Sequence, residues 1–512
     1  MGGHYEKGLF NQLMEVQARL EAMEAGHRED HQKIKRLTAE VTSLHRENEK
    51  LRGELTKVKE ENKVLRVENE ALRKENRLLR DDNERMKRIL SNNSSNSSIP
   101  PSHDLQTKPA NMYNSRQKTG KKAGGQPGHP GKHLSKAEVE KKIKEGVYEH
   151  RLEEIGTPGT DYVTRYRLDL EVQVIATEIR IYADENGKYP VPEQMKAEVF
   201  YGDSIKAIAG FLYSEGVVAN DRICAFINSI SGDKLHISTG SVYGFCRNLG
   251  NLCGQERPAI EEDLLNQKQV CTDATTVTTN GTQTYIRNFS TADSVLYVSS
   301  DKKNLESMEK MRLLNEFAGT LVHDHETALY HFGRGHGECN VHLERYLKKN
   351  TEETGNSWSR HMSGFLYGMN RGRKEAESRR ETEFSAAQLS RYEARYDEIL
   401  QEGRQEHKRT KGKLARKTEG ALLNRLNKYK ANYLLFLHDF EVPFSNNMSE
   451  KDLRPCKNRE KMAGGFRKDK GREMYCNIMS FVQTAKRRGF NIFQSITARL
   501  QGIPVLTKAP RS

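Results

Sequence analysis

Residues 269–300 read QVCTDATTVTTNGTQTYIRNFSTADSVLYVSS, and this stretch decides the fold of the chain. Apolar and β-branched residues fill three runs, QVCTDATTV, TQTYIRNFS and SVLYVSS, which short turns such as TNG separate. A helical stretch, KNLESMEKMRLLNEF, and a short apolar strand, GTLVHD, come next, before further helix. The pattern therefore predicts a mixed α/β unit that begins with three consecutive strands.

Three strands, a helix, a strand and a helix follow one another in the order of a ribonuclease H-like α/β core. We place the first part of this core at residues 256–345, its end at residues 436–500 and a charged helical insertion at residues 346–435. Asp273 lies on the first strand and Asp324 at the end of the fourth. A rigid strand end can present a carboxylate to a metal ion, so both are candidate ligands.

The third acid of such a site is predicted to be Glu450, in the helical stretch that contains VPFSNNMSEKDLRPCKN. Asn447 and Arg454 lie three residues before it and four after it, so the three share one helix face. Three carboxylates and substrate phosphates can hold two divalent cations about 4 Å apart for phosphodiester chemistry. The ordinary alternatives are turn or cap residues at the strand ends and a surface ion pair for the helical acid.

Basic residues around this third acid predict a DNA-binding surface. They form one set with the amide that precedes the acid: Asn447, Arg454, Lys457, Lys461, Arg467 and Lys468. A Gly-Gly turn at residues 464 and 465 is expected to let the backbone approach a phosphate.

The composition favours a polyanionic partner. The 512 residues include 84 Lys and Arg against 70 Asp and Glu, a formal net charge of +14, so nucleic acid is the first partner class and an anionic membrane the second. No run approaches the ~18 apolar residues of a membrane span, and the beginning of the chain lacks a secretory signal, so we expect a cytoplasmic protein. Seven scattered cysteines without a Cys-x-x-Cys pair indicate reduced thiols.

Apolar residues recur every seven positions and predict a coiled-coil seam over residues 34–90. One row comprises Leu37, Leu44, Leu51, Val58, Leu65, Leu72, Leu79 and Met86, and Ile34, Val41, Leu55 and Leu90 accompany it. The intervening core positions include Asn48, Asn62, Asn69, Asn76 and Asn83, and such buried amides favour two strands in one register. Residues 1–90 are therefore predicted to form an N-terminal helix and a parallel dimeric coiled coil, with a single solvated helix as the alternative.

Residues 91–135 are predicted to be a linker, because Ser, Asn, Gly, Pro and Lys dominate them. Its Lys121 and Lys122 either follow a phosphate backbone or are simply solvated, and the sequence leaves both interpretations open. Residues 501–512 are predicted to be a tail.

Two small units are predicted between the linker and the core. Residues 136–200 are expected to contain β-structure, because residues 162–183 alternate apolar and polar side chains. Residues 201–255 indicate three short helices of the size of a helix-turn-helix DNA-binding module, a pattern that other helical bundles share.

Several motifs resemble those of a known family. VPFSNNMSEKDLRPCKN, GGFRKDKG and TAKRRGFN resemble the C-terminal signature of the insertion sequence 66 family of bacterial transposases, and LVHDHETALY, CNVHLERYL, NNSSNSSIPPS and KKAGGQPGHPGK resemble its other blocks. The resemblance extends from about residue 90 to residue 500. It implies an Asp-Asp-Glu transposase with a ribonuclease H-like core and Mg²⁺, in which Asp273, Asp324 and Glu450 are the catalytic, metal-binding acids.

The sequence departs from the family pattern in two ways. Family members commonly carry Asp-Glu-Thr where this chain has Asp273, Ala274 and Thr275. Many also carry a Cys-rich zinc-binding segment, whereas this chain has no cysteine before Arg222. Recognition of DNA ends through zinc is therefore not expected.

Other residues allow competing interpretations. Trp358 is predicted to pack in a core, with stacking on an unpaired base as the alternative. Cys339 and His342 lie one helical turn apart and raise a zinc hypothesis, but they lack a second ligand pair at comparable spacing. The competing interpretation is that they orient the strand end at Asp324, with His325 as a phosphate contact.

The leading functional hypothesis is a DNA transposase that cleaves phosphodiesters at the ends of its element and joins the freed 3′-hydroxyls to target DNA. Double-stranded DNA, a homodimer or higher oligomer through the coiled coil, and accessory proteins of the element are the expected partners, in the bacterial cytoplasm at the nucleoid. The alternatives are a zipper-dimerised DNA-binding regulator, which the acidic residues before the seam disfavour, and a metal-dependent nuclease without strand joining.

Overall fold

A computed structural model describes residues 3–91, 135–155 and 163–506. The chain divides into two compact units, of which the first comprises residues 1–91 and Lys411–Arg416 and the second the remaining described residues. The predicted linker, with Lys121 and Lys122, lies outside the described residues except at its two ends.

The N-terminal unit is built on one helix, α1 (Gly3–Ser91), of 89 residues. Strong helix formers dominate its sequence and no proline interrupts it, which explains its length. The seam residues Leu37, Leu51 and Leu65 are 52–56% exposed in this single helix. Pairing of two such helices stays a prediction.

The segment before the core contains less regular structure than its sequence pattern indicates. Helix α2 (Lys136–Lys144) begins at a capping box, and one short 3₁₀ turn follows at Glu193–Met195. The strands predicted over residues 162–183 are wrong for the described part, because residues 163–183 form no regular secondary structure and pair with no neighbouring strand. Side chains cross-link it instead, with Arg151 Nη1 2.7 Å from Glu171 Oε1. Alternation makes a strand only where a second backbone is available to pair.

The three short helices predicted over residues 201–255 are confirmed. They are α3 (Asp203–Ser214), α4 (Asn220–Ile230) and α5 (Thr239–Gly254), followed by α6 (Arg257–Leu265). Their buried residues belong to the same hydrophobic cluster as the sheet and the long helix near the end of the chain. These helices are therefore part of the main core, and their binding to DNA stays a prediction.

A five-stranded sheet forms the centre of the second unit. Its strands are β1 (Gln269–Thr279), β2 (Thr282–Ser290), β3 (Val295–Ser300), β4 (Thr320–His323) and β5 (Gly335–Glu338). They lie in the order β3-β2-β1-β4-β5. The β1–β2 and β2–β3 pairs are antiparallel, whereas β4 runs parallel to both β1 and β5.

The connection between β3 and β4 is confirmed as helical. It consists of two short helices, α7 (Leu305–Glu309) and α8 (Arg312–Glu316), in place of the single helix in the sequence prediction. The helix expected directly after β4 is a 3₁₀ turn followed by β5, which the sequence analysis did not predict.

Five helices form the insertion between β5 and the end of the core. They are α9 (Asn340–Thr354), α10 (Trp358–Ser378), α11 (Ala386–His407), α12 (Lys413–Lys428) and α13 (Lys430–His438). They bury a hydrophobic cluster of their own, which includes Trp358 at 0% exposure. The packing role predicted for Trp358 is confirmed, and a fully buried ring does not stack on a base.

The last helices are α14 (Asn447–Ala463), α15 (Asp469–Arg487) and α16 (Ile492–Leu500). Helix α14 packs on β1 and β2, and α15 packs on β3 and α5. At the turn after α14, Gly465 has φ +85°, and a Cβ there would overlap the carbonyl oxygen of Thr278. Phe466 N–H donates to this oxygen at 2.7 Å. The sequence analysis expected this glycine turn to approach a phosphate. In the structure, Gly465 instead allows the chain to pack closely against β1.

None of the helices in the described ranges has the length and apolar character that a membrane span requires.

Candidate active site

Two acids lie side by side on the central strands. Strand β1 runs parallel to β4, and Cys271 is paired with Val322. Asp273 comes two residues further along β1, and Asp324 directly follows the end of β4. The two carboxyl groups are near enough for the charge of Asp324 to raise the pKa of Asp273. The parallel pairing thus brings together the first two acids that the sequence indicates.

A compact group of metal-ligand types surrounds the second acid. Ligand atoms of Asp324, Cys339, His342 and Glu450 all lie within 4.8 Å of one another. His342 Nδ1 is 3.1 Å from Asp324 Oδ2 and 3.4 Å from Glu450 Oε1. The residues come from the end of β4, from the beginning of α9 and from the beginning of α14. Asp273 lies beside this group on the next strand.

Two polar atoms in this group fit a bound cation. His342 Nδ1 and Glu450 Oε1 are buried, and neither makes a hydrogen bond, because the polar atoms at 3.1–3.4 Å from them, which belong to this same group, lack hydrogen-bond geometry. Because buried polar atoms in folded proteins are almost always hydrogen bonded, such a pair facing a carboxylate is a feature of ligand or metal sites. The donor set of the described residues can therefore hold a divalent cation.

Cys339 does not favour zinc at this position. Burial, and next the negative charge of Asp324, raise the pKa of the Cys339 thiol to about 12. Its Sγ instead accepts the backbone N–H of Asn446 at 3.2 Å. Zinc binds the thiolate, whereas carboxylate oxygens are the preferred ligands of Mg²⁺ and Mn²⁺. Asp324, Glu450 and His342 therefore fit Mg²⁺ or Mn²⁺ better than a structural zinc ion.

The electrostatics of Asp273 also fit a bound cation. Burial, and next the charge of Asp324, raise its pKa from 3.8 to about 6. The Ala274 N–H bond and the charges of Lys303 and Lys457 act in the opposite direction and do not offset this. A cation bound between the two carboxylates would favour the ionised form of both.

This raised pKa predicts how the stability of the metal-free protein depends on pH. In the unfolded chain Asp273 ionises near pH 4, but in the folded chain it stays protonated to about pH 6. Its contribution to the free energy of unfolding is therefore neutral below pH 4, becomes increasingly destabilising as the pH rises from 4 to 6, and is constant above that range. Asp273→Asn should stabilise the metal-free chain by on the order of 2 kcal/mol at pH 7.5.

Thermal unfolding in EDTA checks this prediction. The stabilisation should shrink between pH 6 and pH 4, and Mg²⁺ should stabilise the wild type more than Asp273→Asn because it binds the carboxylate. Equal melting temperatures of the two proteins in EDTA at pH 7.5 would contradict the assigned charge environment.

Asn446 connects the two strands to the helix of the third acid. Its Nδ2 donates to the carbonyl oxygen of Thr272 at 2.9 Å and to Asp324 Oδ1 at 3.4 Å. Asn446 is fully buried, whereas its neighbour Asn447 is exposed. The sequence analysis singled out Asn447, but Asn446 is the residue that contacts the acid.

A buried polar network fixes α14 on the sheet. Asn288 Oδ1 accepts the backbone N–H of Asp273 at 3.2 Å and the hydroxyl of Ser449 at 2.5 Å. One turn further along α14, Asp452 accepts the hydroxyl of Ser290 at 2.6 Å and forms a two-bond ion pair with Arg487. These contacts hold the beginning of α14, and with it Glu450, against β1 and β2.

His325 has a different environment from the predicted phosphate contact. It has φ +57°, and its Nδ1 is 2.5 Å from Oε1 of Glu338. The buried Glu338 also accepts the hydroxyl of Tyr330. His323, which directly precedes Asp324, is fully buried, and burial lowers the His323 pKa to about 4. These side chains fix the turn that carries Asp324.

The basic residues predicted to bind DNA lie on the surface around α14. Arg454, Lys457 and Lys461 are exposed and follow Glu450 at helical spacing along one face. Arg467 and Lys468 are also exposed, in the loop after the helix. Lys457 is near enough to lower the pKa of Asp273 by its charge. A positive stripe thus begins at the acidic group and extends about 16 Å along α14, from Glu450 to Lys461.

The chain matches a model of a known protein family. The model of the transposase IS66 family matches residues 206–474, which is just over half of the 512 residues. The chain belongs to the IS66 transposase family. A family of unknown function, DUF6444, matches residues 54–135. No curated protein matches the chain.

The IS66 match runs from α3 into α15, so it contains the acidic group and Asp273. Membership supports a transposase role in general terms, with DNA as the macromolecule acted on and a divalent metal requirement. Sequence reasoning missed Asn446 and Asn288 as contacts, although the Asn-Asn pair before Glu450 was a visible signal. The sequence suggested His342 only as a possible zinc ligand together with Cys339. Its contact with Glu450 could not be predicted, because the two residues are far apart in the sequence and meet only in the folded chain.

Proposed function

We propose that this IS66-family chain is an Asp-Asp-Glu transposase with a ribonuclease H-like core. It cleaves phosphodiesters at the ends of its insertion sequence and transfers the 3′-hydroxyl ends to target DNA. The observation that carries the proposal is the group in which ligand atoms of Asp324, His342 and Glu450 lie within 4.8 Å of one another. Asp273, on the neighbouring strand, is near enough for the charge of Asp324 to raise its pKa. The strand order β3-β2-β1-β4-β5, with its antiparallel and parallel halves, supports the assignment of the core.

In this proposal Asp273, Asp324 and Glu450 hold two Mg²⁺ or Mn²⁺ ions. When bound, such a pair supplies activation of the attacking hydroxyl and stabilisation of the leaving oxygen. His342 positions the carboxylates of Asp324 and Glu450, because its Nδ1 lies between them. Asn446 holds Asp324 from the other side through its amide.

The positive stripe on α14 positions the DNA backbone beside these acids. Arg454, Lys457 and Lys461 bind successive phosphates, and Asn447, Arg467 and Lys468 extend the contact at the two ends of the helix. Lys121 and Lys122 add sequence-independent contacts in this proposal. Helices α3–α5 recognise the element ends as a helix-turn-helix-like module.

The assembled form is proposed to be a homodimer or a higher oligomer through α1, working with accessory proteins of the same element. We place it in the bacterial cytoplasm at the nucleoid, because its substrate is chromosomal and element DNA. No step of the proposed reaction requires a membrane.

A strand-joining assay tests the proposed function. The full chain is incubated with Mg²⁺ and a labelled duplex that carries the terminal sequence flanking its gene, and denaturing gels resolve nicked from joined strands. Joined strands that depend on Mg²⁺ and are absent in EDTA are the expected result.

Other outcomes would overturn parts of the proposal. Metal-dependent nicks without any joined strand, in the presence of the element's accessory proteins, would make the protein a nuclease. Tight binding with no product under the same conditions would make it a DNA-binding regulator.

A further inference from the structure

Helix α1 carries a charge pattern beside its apolar seam. With Ile34 at heptad position a and Leu37 at position d, positions e and g flank the seam. Each g position from residue 40 to residue 75 is Glu, and the e position five residues later is Arg, Lys or His. The six combinations are Glu40 with His45, Glu47 with Arg52, Glu54 with Lys59, Glu61 with Arg66, Glu68 with Arg73, and Glu75 with Arg80.

This pattern distinguishes between the two orientations of a helix pair. In a parallel, in-register pair, each g residue faces the e residue five positions later on the other helix, so all six combinations are attractive. In an antiparallel pair, g faces g and e faces e, which would place glutamates against glutamates and cations against cations. The charges therefore favour parallel pairing and oppose the antiparallel alternative.

The Asn residues at position a favour one register. In register, Asn48, Asn62, Asn69, Asn76 and Asn83 each face their own copy and can hydrogen bond across the seam. A shift of one heptad would place Asn48 against Leu55 and Val41, and Asn62 against Leu55. Burying an amide against an apolar side chain without a partner is unfavourable, so shifted registers are weaker.

The same heptad register also extends beyond the seam noted in the sequence. Counting back from Ile34, positions a and d are occupied by Leu20 and Leu13, and by Met23, Val16 and Leu9. Only His27 and Asp30 interrupt this extension. All five apolar residues are more than half exposed in the single helix. The apolar face therefore extends about 115 Å from Leu9 to Met86, with His27, Asp30 and the Asn residues at position a as its polar positions.

We infer that the partner of this face is α1 of a second copy of the chain, parallel and in register from about Leu9. The inference rests on the self-association that forms part of the proposed function, but not on the DNA chemistry. In a parallel pair the two α1 helices end at Ser91 at the same end of the coiled coil, so both chains continue from that end. Two catalytic units tethered to one end match a reaction that must handle two DNA ends.

Complementary charge reversals in the full chain test the pairing. One variant carries four substitutions at e, Arg52→Glu, Lys59→Glu, Arg66→Glu and Arg73→Glu. The other carries four at g, Glu47→Lys, Glu54→Lys, Glu61→Lys and Glu68→Lys. Each variant alone should dimerise at least roughly a hundredfold more weakly than the wild type in sedimentation equilibrium, because eight attractive contacts become repulsive.

Mixing the two variants should restore a dimer that contains one chain of each kind. A control matched to the e variant carries Lys50→Glu, Lys57→Glu, Lys63→Glu and Lys74→Glu, which change the net charge by the same amount at outward positions and should leave dimerisation unchanged. Full dimerisation of either variant alone, or a mixture that stays monomeric, would overturn the inference. The readout is association, so it is independent of whether the protein cleaves DNA.

Engineered cysteines test orientation separately. Leu44→Cys and Leu72→Cys stand at d positions 28 residues apart, or about 42 Å along the helix. In a parallel, in-register dimer both variants should form a disulfide with their own copy under copper phenanthroline. An antiparallel dimer can bring at most one of these positions to its own copy, at the symmetry axis, so cross-linking of only one would contradict the inference.

Discussion

Glu450→Gln is expected to lower DNA cleavage and strand joining by roughly 10³-fold or more, because a neutral amide cannot replace an anionic metal ligand. The side chains have nearly the same size, and Asn288 and Ser449 still hold the helix on the sheet. Arg454 and Lys457 are unchanged, so the affinity for end DNA should stay the same or rise slightly. Cleavage gels and a binding titration on the same duplex measure the two effects.

Glu473→Gln serves as the matched control, since Glu473 is an exposed glutamate on α15. It should cleave and join like the wild type. If Glu450→Gln cleaved at the wild-type rate, the third acid would be wrongly assigned. Loss of both binding and cleavage would indicate a structural role for Glu450 in place of a catalytic one.

Glu419→Ala is expected to lower the free energy of unfolding by about 3–5 kcal/mol, because it removes the buried acceptor at the centre of the helical insertion. The Glu419 side chain is fully buried. Its Oε1 accepts Trp358 Nε1 at 2.8 Å and Asn356 Nδ2 at 2.6 Å. Its Oε2 accepts the hydroxyl of Thr410 at 2.5 Å and lies 2.9 Å from His407 Nδ1. Truncation leaves these groups buried without a partner.

The pH dependence of this contribution has a definite sign. Burial raises the pKa of Glu419, but hydrogen bonds from Thr410, Trp358, Asn356 and His407 together outweigh burial and lower it below its ordinary value. Its stabilisation is therefore fully present above the ordinary pKa and is lost as the pH falls through the lower folded value.

Urea unfolding of the wild type and Glu419→Ala, followed by tryptophan fluorescence, measures the effect, since the chain has a single Trp next to the carboxylate. The control is Glu398→Ala, which removes an exposed ion pair with Arg395 and should cost less than about 1 kcal/mol. Equal unfolding midpoints for Glu419→Ala and the control would show that the network contributes little.

The centre of the fold could be predicted because its signals are local. Strands β1, β2 and β3 follow one another along the chain with short turns, so apolar and β-branched runs were sufficient. Strand β4, with the sequence TLVH, could be predicted for the same reason, because its central residues are apolar. Strand β5, with the sequence GHGE, was missed because it is short, polar and glycine-rich, and only its pairing with β4 defines it.

The opposite error occurred in residues 162–183, where a regular alternation predicted strands. In the described part, Leu170 and Ile175 are largely exposed and no backbone pairs with the segment. The alternation of apolar and polar residues predicts which side chains would share one face of a strand. A strand also needs a second backbone to hydrogen bond with, and that backbone comes from elsewhere in the chain.

At the candidate site, too, local sequence patterns predicted some residues, whereas others depend on contacts between distant parts of the chain. Asp273, Asp324 and Glu450 were noted from strand ends, helix spacing and family motifs, and the structure brings Asp324 and Glu450 into one group with Asp273 beside it. The positions of His342 and Asn446 depend on how α9 and α14 approach β4. Long-range packing of this kind leaves no mark in local spacing, so their contacts required the structure.

The most direct test of the central claim is the yield of joined strand from the wild type and Asp273→Asn, side by side in Mg²⁺ on the protein's own end DNA. The account predicts joined product from the wild type and none from Asp273→Asn, with both proteins bound to the duplex. Joining by Asp273→Asn at the wild-type level would contradict it, because the first carboxylate would then have no part in the chemistry.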